Sequence, residues 1–310
     1  MTAASDSDFD ASIGAPAARP LNRTRPFYWS VRRELWENRA IWIAPMIAAG
    51  VILAGYFISQ VAPQSIHFNM SQRGGPPVPH KLPPALPYEI AMIVVLMTGL
   101  VVGVFYCLGA LQNERRDRSI LFWKSLPVSD LTAVLAKAFI PFVVLPVASF
   151  IIVALTQLIM IVLASVVMMV HGEDAQALWA EVPLLRMWVV LAYGLVVLAL
   201  WHAPLWGWLL TVSAWARRTA FLWAFGPPIA LCVFERLAFN SGHLPALFGA
   251  RLIGGWNQGF TIHRGEMIMT DISDIDVGKF VSSPGLWIGL AVAAVFVAAT
   301  VWLRRRREPI

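Results

Sequence analysis

Few side chains in this sequence are of types that do chemistry, and they are widely spaced. His202, in "LWHAPLW", puts an imidazole inside an apolar run. A polar group at such depth is costly and marks a functional candidate. Its bland role is to satisfy a carbonyl that Pro204, having no N–H, leaves free. Glu235, beside Arg236, lies near the end of another apolar run. With His202 it could form an acid–base pair for a multispan membrane enzyme, but no motif joins the two. Thr156 and Gln157 carry a hydroxyl and an amide into a third run, where they line a pathway or bond between helices. The densest polar feature is "NERRDRSILFWKSLPVSD", Asn113 to Asp130, with five charges in residues 114–118 and apolar runs on both sides. No G-x-x-x-x-G-K-[ST] loop is present to cradle phosphates, and neither H-E-x-x-H nor G-x-S-x-G occurs. Cys107 and Cys232 fall inside apolar runs and read as small buried residues, with no disulfide framework or metal spacing.

The elements that must position these groups are membrane helices. The 310 residues are 58% hydrophobic and 14% charged, against about 25% charged in soluble domains, and the mean hydropathy is +0.66. A span needs about 20 apolar residues as a helix. Runs of that kind lie at 40–59, 88–111, 131–170, 184–213, 219–237 and 284–303. The third is long, and Pro141 and Pro146 bend it without splitting it. The fold class expected is therefore an all-α membrane protein with six transmembrane helices. An even number of spans leaves both termini on one side. With that side cytoplasmic, 17 of the 24 basic residues lie inside, including Arg304 to Arg307. The net charge of +6 is thus read as topology, with no nucleic-acid partner implied.

Residues 1–25, acidic at the start, read as a disordered cytosolic tail, and 26–310 as the transmembrane domain. Residues 26–39 read as an amphipathic helix in the headgroup plane. Phe27, Tyr28, Val31 and Leu35 would form its apolar face, with Arg33, Glu34 and Glu37 opposite and Trp29 and Trp36 at the boundary. Outside, 61–87 is proline-rich and 171–183 short and acidic. The segment 239–283 is the largest, its first half apolar enough to dip back toward the membrane. Inside, residues 112–130 read as a short surface helix. Glu114 and Arg118 are four apart and can pair on one face. Pro127 stops the turn, and Ser129 or Asp130 can cap the next helix. Charges outward and an aromatic such as Phe122 or Trp123 beneath are what a cytosolic partner can grip. A solvated loop whose arginines only fix topology is the alternative.

"ERRDRSILFWKSLPVSDLTAVLAKAF" resembles the first cytoplasmic loop of permease subunits of ATP-binding cassette transporters, type-2 family. The six spans, cytosolic ends and large outer segment before the last span agree with that family. The resemblance implies that 112–130 is a coupling segment docking on an ATPase subunit, through Glu114, Arg115, Arg116, Asp117 and Arg118 with Phe122 and Trp123 beside them. It implies two ATPase copies, which carry the ATP and Mg. It also implies a second copy of this permease or a related one, a lipid setting in the bacterial inner membrane, and export; the apolar faces of the spans themselves suit an apolar or amphipathic cargo, with Thr156, Gln157 and His202 as the pathway residues. The chain itself would hold no cofactor or metal and have no catalytic site. A non-transporting membrane scaffold is the other alternative.

Overall fold

The structure, a computed structural model, describes residues 24–61, 83–117, 128–261 and 272–306. Among these residues every element is helical, and the only bridge is an isolated one between Phe260 and Ile275. Six helices are long and apolar enough to cross a membrane, so the chain is a multi-pass transmembrane protein.

A short helix α1 (Thr24–Glu37) leads into α2 (Ala40–Val61). After the second span, α3 (Leu86–Ala110), comes one turn, α4 (Gln112–Arg116). The third span opens as α5 (Asp130–Phe139), capped by the Ser129 hydroxyl, which accepts from the Thr132 N–H. At Pro141 the missing N–H removes one rung, and the helix widens into a π turn, Ile140–Val144, before running on as α6 (Leu145–Val170). The helix remains continuous over 41 residues, as expected, with the irregularity at Pro141 taking the form of this π turn.

The fourth span departs from expectation. After a short α7 (Ala175–Glu181), it forms two helices, α8 (Leu184–Trp201) and α9 (Ala203–Trp215), broken at His202. Proline is pre-organised for a first helical turn, whereas in a helix interior it removes a rung, as Pro45 does in α2 and Pro227 and Pro228 do further along the chain. Pro204 takes a first-turn place and starts a new helix instead of sitting within one of about 30 residues. A turn through Thr219, held at φ 49°, leads to α10 (Ala220–Phe239). It is followed by α11 (His243–Gly259), α12 (Val277–Ser282) and α13 (Pro284–Arg306).

Buried side chains form successive layers along the bundle. Ile41, Tyr106, Ile140, Leu145 and Leu210 fill one end. Ala49, Val95, Val153 and Leu191 fill the middle, and Tyr88, Met160, Ile161 and Met187 the other end. Lipid tails are as apolar as these side chains, so close backbone approach must do much of the holding. Gly207 permits it: a Cβ there would lie 3.0 Å from the Phe296 Cβ and 3.4 Å from the Ala293 carbonyl, which seats α9 on α13. At the far end Gln157 is fully buried, its amide donating to the Tyr88 carbonyl (3.1 Å) and accepting from the Trp188 indole (2.8 Å).

The segment 239–283 is helical in its first half. Glu235 accepts from the Ser241 hydroxyl and the His243 and Leu244 N–H groups, and so caps the start of α11. That helix lies against α8: Trp256 covers Gly194, and a Cβ on Gly259 would come within 2.9 Å of Val197. Residues 243–259 thus run alongside the fourth span, within its length. The proline-rich stretch lies largely outside the described residues, and residues 262–271 lie outside them too.

Helix α1 corrects the expected wheel. Phe27 meets Phe139 edge to face, and Val31 and Leu35 pack on the core as expected. Tyr28, assigned to the apolar face, is exposed, and Glu34, assigned to the polar face, is buried. The cause is that Glu34 finds cations beneath it.

Candidate functional site

The charges gather at one end of the bundle, contributed by four separate elements. From α1, Arg33 Nη2 donates to Glu34 Oε1 (2.9 Å) and to Glu114 Oε1 (2.6 Å). From α5, Lys137 Nζ reaches the same two oxygens, at 2.7 Å and 3.1 Å. From α13, Arg304 donates to Glu114 Oε2 (2.7 Å) and Asp130 Oδ1 (3.0 Å). The Tyr106 hydroxyl of α3 donates to Glu34 Oε2 (2.9 Å). Three cations alternate with three carboxylates, so each charge withdrawn from water faces an opposite one, which offsets the desolvation cost. Burial pulls the Arg33 pKa down, but Glu34 and Glu114 outweigh it and leave the pKa raised.

This network also orders the chain's ends. Arg33 precedes the first span and Arg304 closes the last, yet both meet Glu114. The two ends of the bundle's chain therefore lie on one side, as an even number of crossings requires.

A second tie fixes the base of the polar segment. The Ser213 hydroxyl of α9 accepts from the Leu111 and Gln112 N–H groups and donates to the Leu108 carbonyl. Arg115 Nη1 donates to the Ala214 carbonyl at 2.6 Å. Donors and acceptors left free between α3 and α4 are thus satisfied by the fourth span.

The sequence-predicted docking residues separate into groups. Glu114 and Arg115 are only 7% and 4% exposed, turned into the protein. Arg116 and Asp117 keep side chains 74% and 63% exposed and lie side by side, 3.5 Å apart. Arg118, with its expected pairing to Glu114, and Phe122 and Trp123 lie outside the described residues. A grip on an external partner needs accessible groups, so Glu114 and Arg115 position the segment while Arg116 and Asp117 are offered outward.

Of the pathway candidates, Thr156 donates to the Ile152 carbonyl of its own helix and Gln157 joins α6 to α3 and α8. A cavity of about 490 Å³ lies between α3, α6, α8 and α11, and of the three candidates His202 borders it. Its Nδ1 lies 2.9 Å from the Leu198 carbonyl and its Nε2 3.0 Å from that of Leu252. A neutral ring donates to only one of these at a time. His202 thus fastens α11 to the helix break, and the carbonyls it meets are these two. Glu235 is engaged at the start of α11, so imidazole and carboxylate serve different contacts.

Sequence reasoning missed Glu34 and Lys137 as interior groups. Lys137 carried a signal: a lone ammonium inside "TAVLAKAFIP" needs a carboxylate partner. Glu34 carried none, since a helical wheel does not show what lies beneath it.

No family model matches the chain, and no characterised protein or solved structure was found to match it.

Proposed function

We propose that the chain is the membrane-spanning subunit of an ATP-driven exporter of the type-2 ATP-binding cassette class. In this reading it sits in a bacterial inner membrane with its charged end in the cytoplasm and acts as a dimer. The observation that carries the reading is the buried charge network, which locks α1, the root of the polar segment, α5 and the end of α13 into one block. Force applied at the exposed Arg116 and Asp117 passes through Glu114 to the ends of three spans at once. A mechanical handle needs this property, and a solvated loop has no use for it.

In this scheme ATP and Mg act in a separate ATPase subunit, one for each of two permease copies, since this chain has no phosphate loop. Closure of the ATPase pair draws the two handles together, and the blocks tilt as rigid bodies. The test is co-purification of the full chain from its native membrane with a polypeptide that carries phosphate-loop ATPase motifs, comparing wild type with Arg116→Glu/Asp117→Lys. Loss of the ATPase with unchanged permease yield supports the reading. Retention of the ATPase by a stable double variant refutes docking through these residues.

A further inference from the structure

The cavity beside His202 is bordered by a backbone irregularity from each of two spans. Pro141 of the π turn lines it on α6's side, and His202 of the α8/α9 break lines it on the other. Gly99 of α3 adds a third wall, leaving the space that the Ser149 hydroxyl occupies: a Cβ there would stand 2.8 Å from Ser149 Oγ. Irregular backbone at membrane depth is tolerated where it is buried or borders a cavity, and broken helices of this kind line binding sites. The volume lies in the range of small-molecule pockets, about 300–1,000 Å³.

Its walls define the occupant's chemistry. Among the described residues no lining side chain is an acid, lysine or arginine. Ile93, Met97 and Leu100 of α3 and Leu252 of α11 line the cavity and are also exposed on the bundle surface. The mouth therefore opens between α3 and α11, midway along apolar helices, onto hydrocarbon. Besides His202, whose ring nitrogens meet the Leu198 and Leu252 carbonyls, two polar side chains line the space. Ser149 is 4% exposed and Asn257 is exposed at the rim. Neither side chain is hydrogen-bonded to another described residue. The geometry points to a site for one acyl chain of a lipid, entering sideways between α3 and α11, with an uncharged carbonyl accepting from Ser149 or Asn257. An ion or a charged solute has no counter-charge here. The site requires no ATPase and stands apart from the transport proposal.

The probe is a lysophosphatidylcholine bearing a diazirine on its acyl chain, titrated onto the purified full-length protein in nanodiscs, with cross-links mapped by mass spectrometry. Saturable labelling is expected on the cavity faces of α3 and α8. Ala199→Trp fills the cavity, and Met97→Trp blocks its mouth from an exposed position without touching the core. Each should weaken saturable labelling by about tenfold or more. Val196→Trp, on the exposed flank of α8, should leave it unchanged. Ser149→Ala should weaken capture of the ester lipid by about fivefold, as for loss of one hydrogen bond, and leave a diazirine alkane unaffected. Labelling that never saturates, or that survives Met97→Trp at full strength, overturns the site, since both mean ordinary annular lipid. Cross-links from these positions to a second copy of the chain overturn it too, because the mouth is then a subunit contact.

Discussion

Replacing Glu114 by Gln tests the charge network at its centre. The carboxylate bridges Arg33, Lys137 and Arg304 at 2.6, 3.1 and 2.7 Å. With Glu34 and Asp130 it compensates these three cations, while the half-exposed Glu37 adds a contact to Arg33 at 3.3 Å and Arg305 lies 3.9 Å from Asp130. Glu114→Gln keeps the shape and removes one negative charge, so Arg33, Lys137 and Arg304 each lose one of their carboxylate contacts and are left to share Glu34, Glu37 and Asp130. Lys137 and Arg304 have side chains only 3% and 4% exposed and cannot recover water; Arg33, at 21%, recovers part of its hydration. Removing one partner of a buried pair costs about 3–5 kcal/mol. For a chain of this size that lowers the melting temperature by roughly 5–10 °C. The assay is thermal unfolding in detergent, monitored by tryptophan fluorescence. Asp117→Asn is the control: its carboxylate meets Arg116 at 3.5 Å with both side chains mostly in water, a pairing worth no more than about 1 kcal/mol. If Glu114→Gln melts within about 1 °C of wild type while folding normally, the network is not the block described here and force from the polar segment has no rigid route to the spans.

The same geometry fixes three other outcomes. Ser213→Ala leaves the Leu111 and Gln112 N–H groups without their acceptor; a loss of about 1–3 kcal/mol is expected by the same unfolding assay. Gly207→Val drives a side chain into Phe296 and the Ala293 carbonyl and should cost about 1–3 kcal/mol through overpacking, visible as lowered stability and earlier proteolysis of α13. Gln157→Leu removes both its bonds to α3 and α8; stability should fall by about 1–3 kcal/mol, with saturable lipid labelling unchanged because Gln157 lies outside the cavity.

Much of this architecture is legible in the sequence because hydrocarbon is a severe filter. Each apolar run of sufficient length became helical, and Pro141 marked the place where the third helix widens. The break at His202 was within reach, since Pro204 is as strong a breaker as Pro141. The two prolines differ in neighbourhood: the π turn lets the third span widen and continue, whereas α9 begins afresh and seats Gly207 on α13. Periodicity alone does not tell these apart. Helix α1 shows the limit most clearly. Tyr28 and Glu34 exchanged their expected places because the inner face of α1 meets Lys137, a residue 103 positions beyond Glu34 in the chain. Charge in "NERRD" marked the polar segment, but which charges turn inward depends on Arg33 and Arg304, supplied by the two ends of the chain.

In the proposed orientation the charged end faces the cytoplasm and presents Arg116 and Asp117 to a motor there. A single cysteine at that position, R116C with Cys107 and Cys232 replaced, can be probed with a membrane-impermeant maleimide. No labelling is expected in intact cells, and full labelling once the membrane is permeabilised. Labelling from outside intact cells would contradict it.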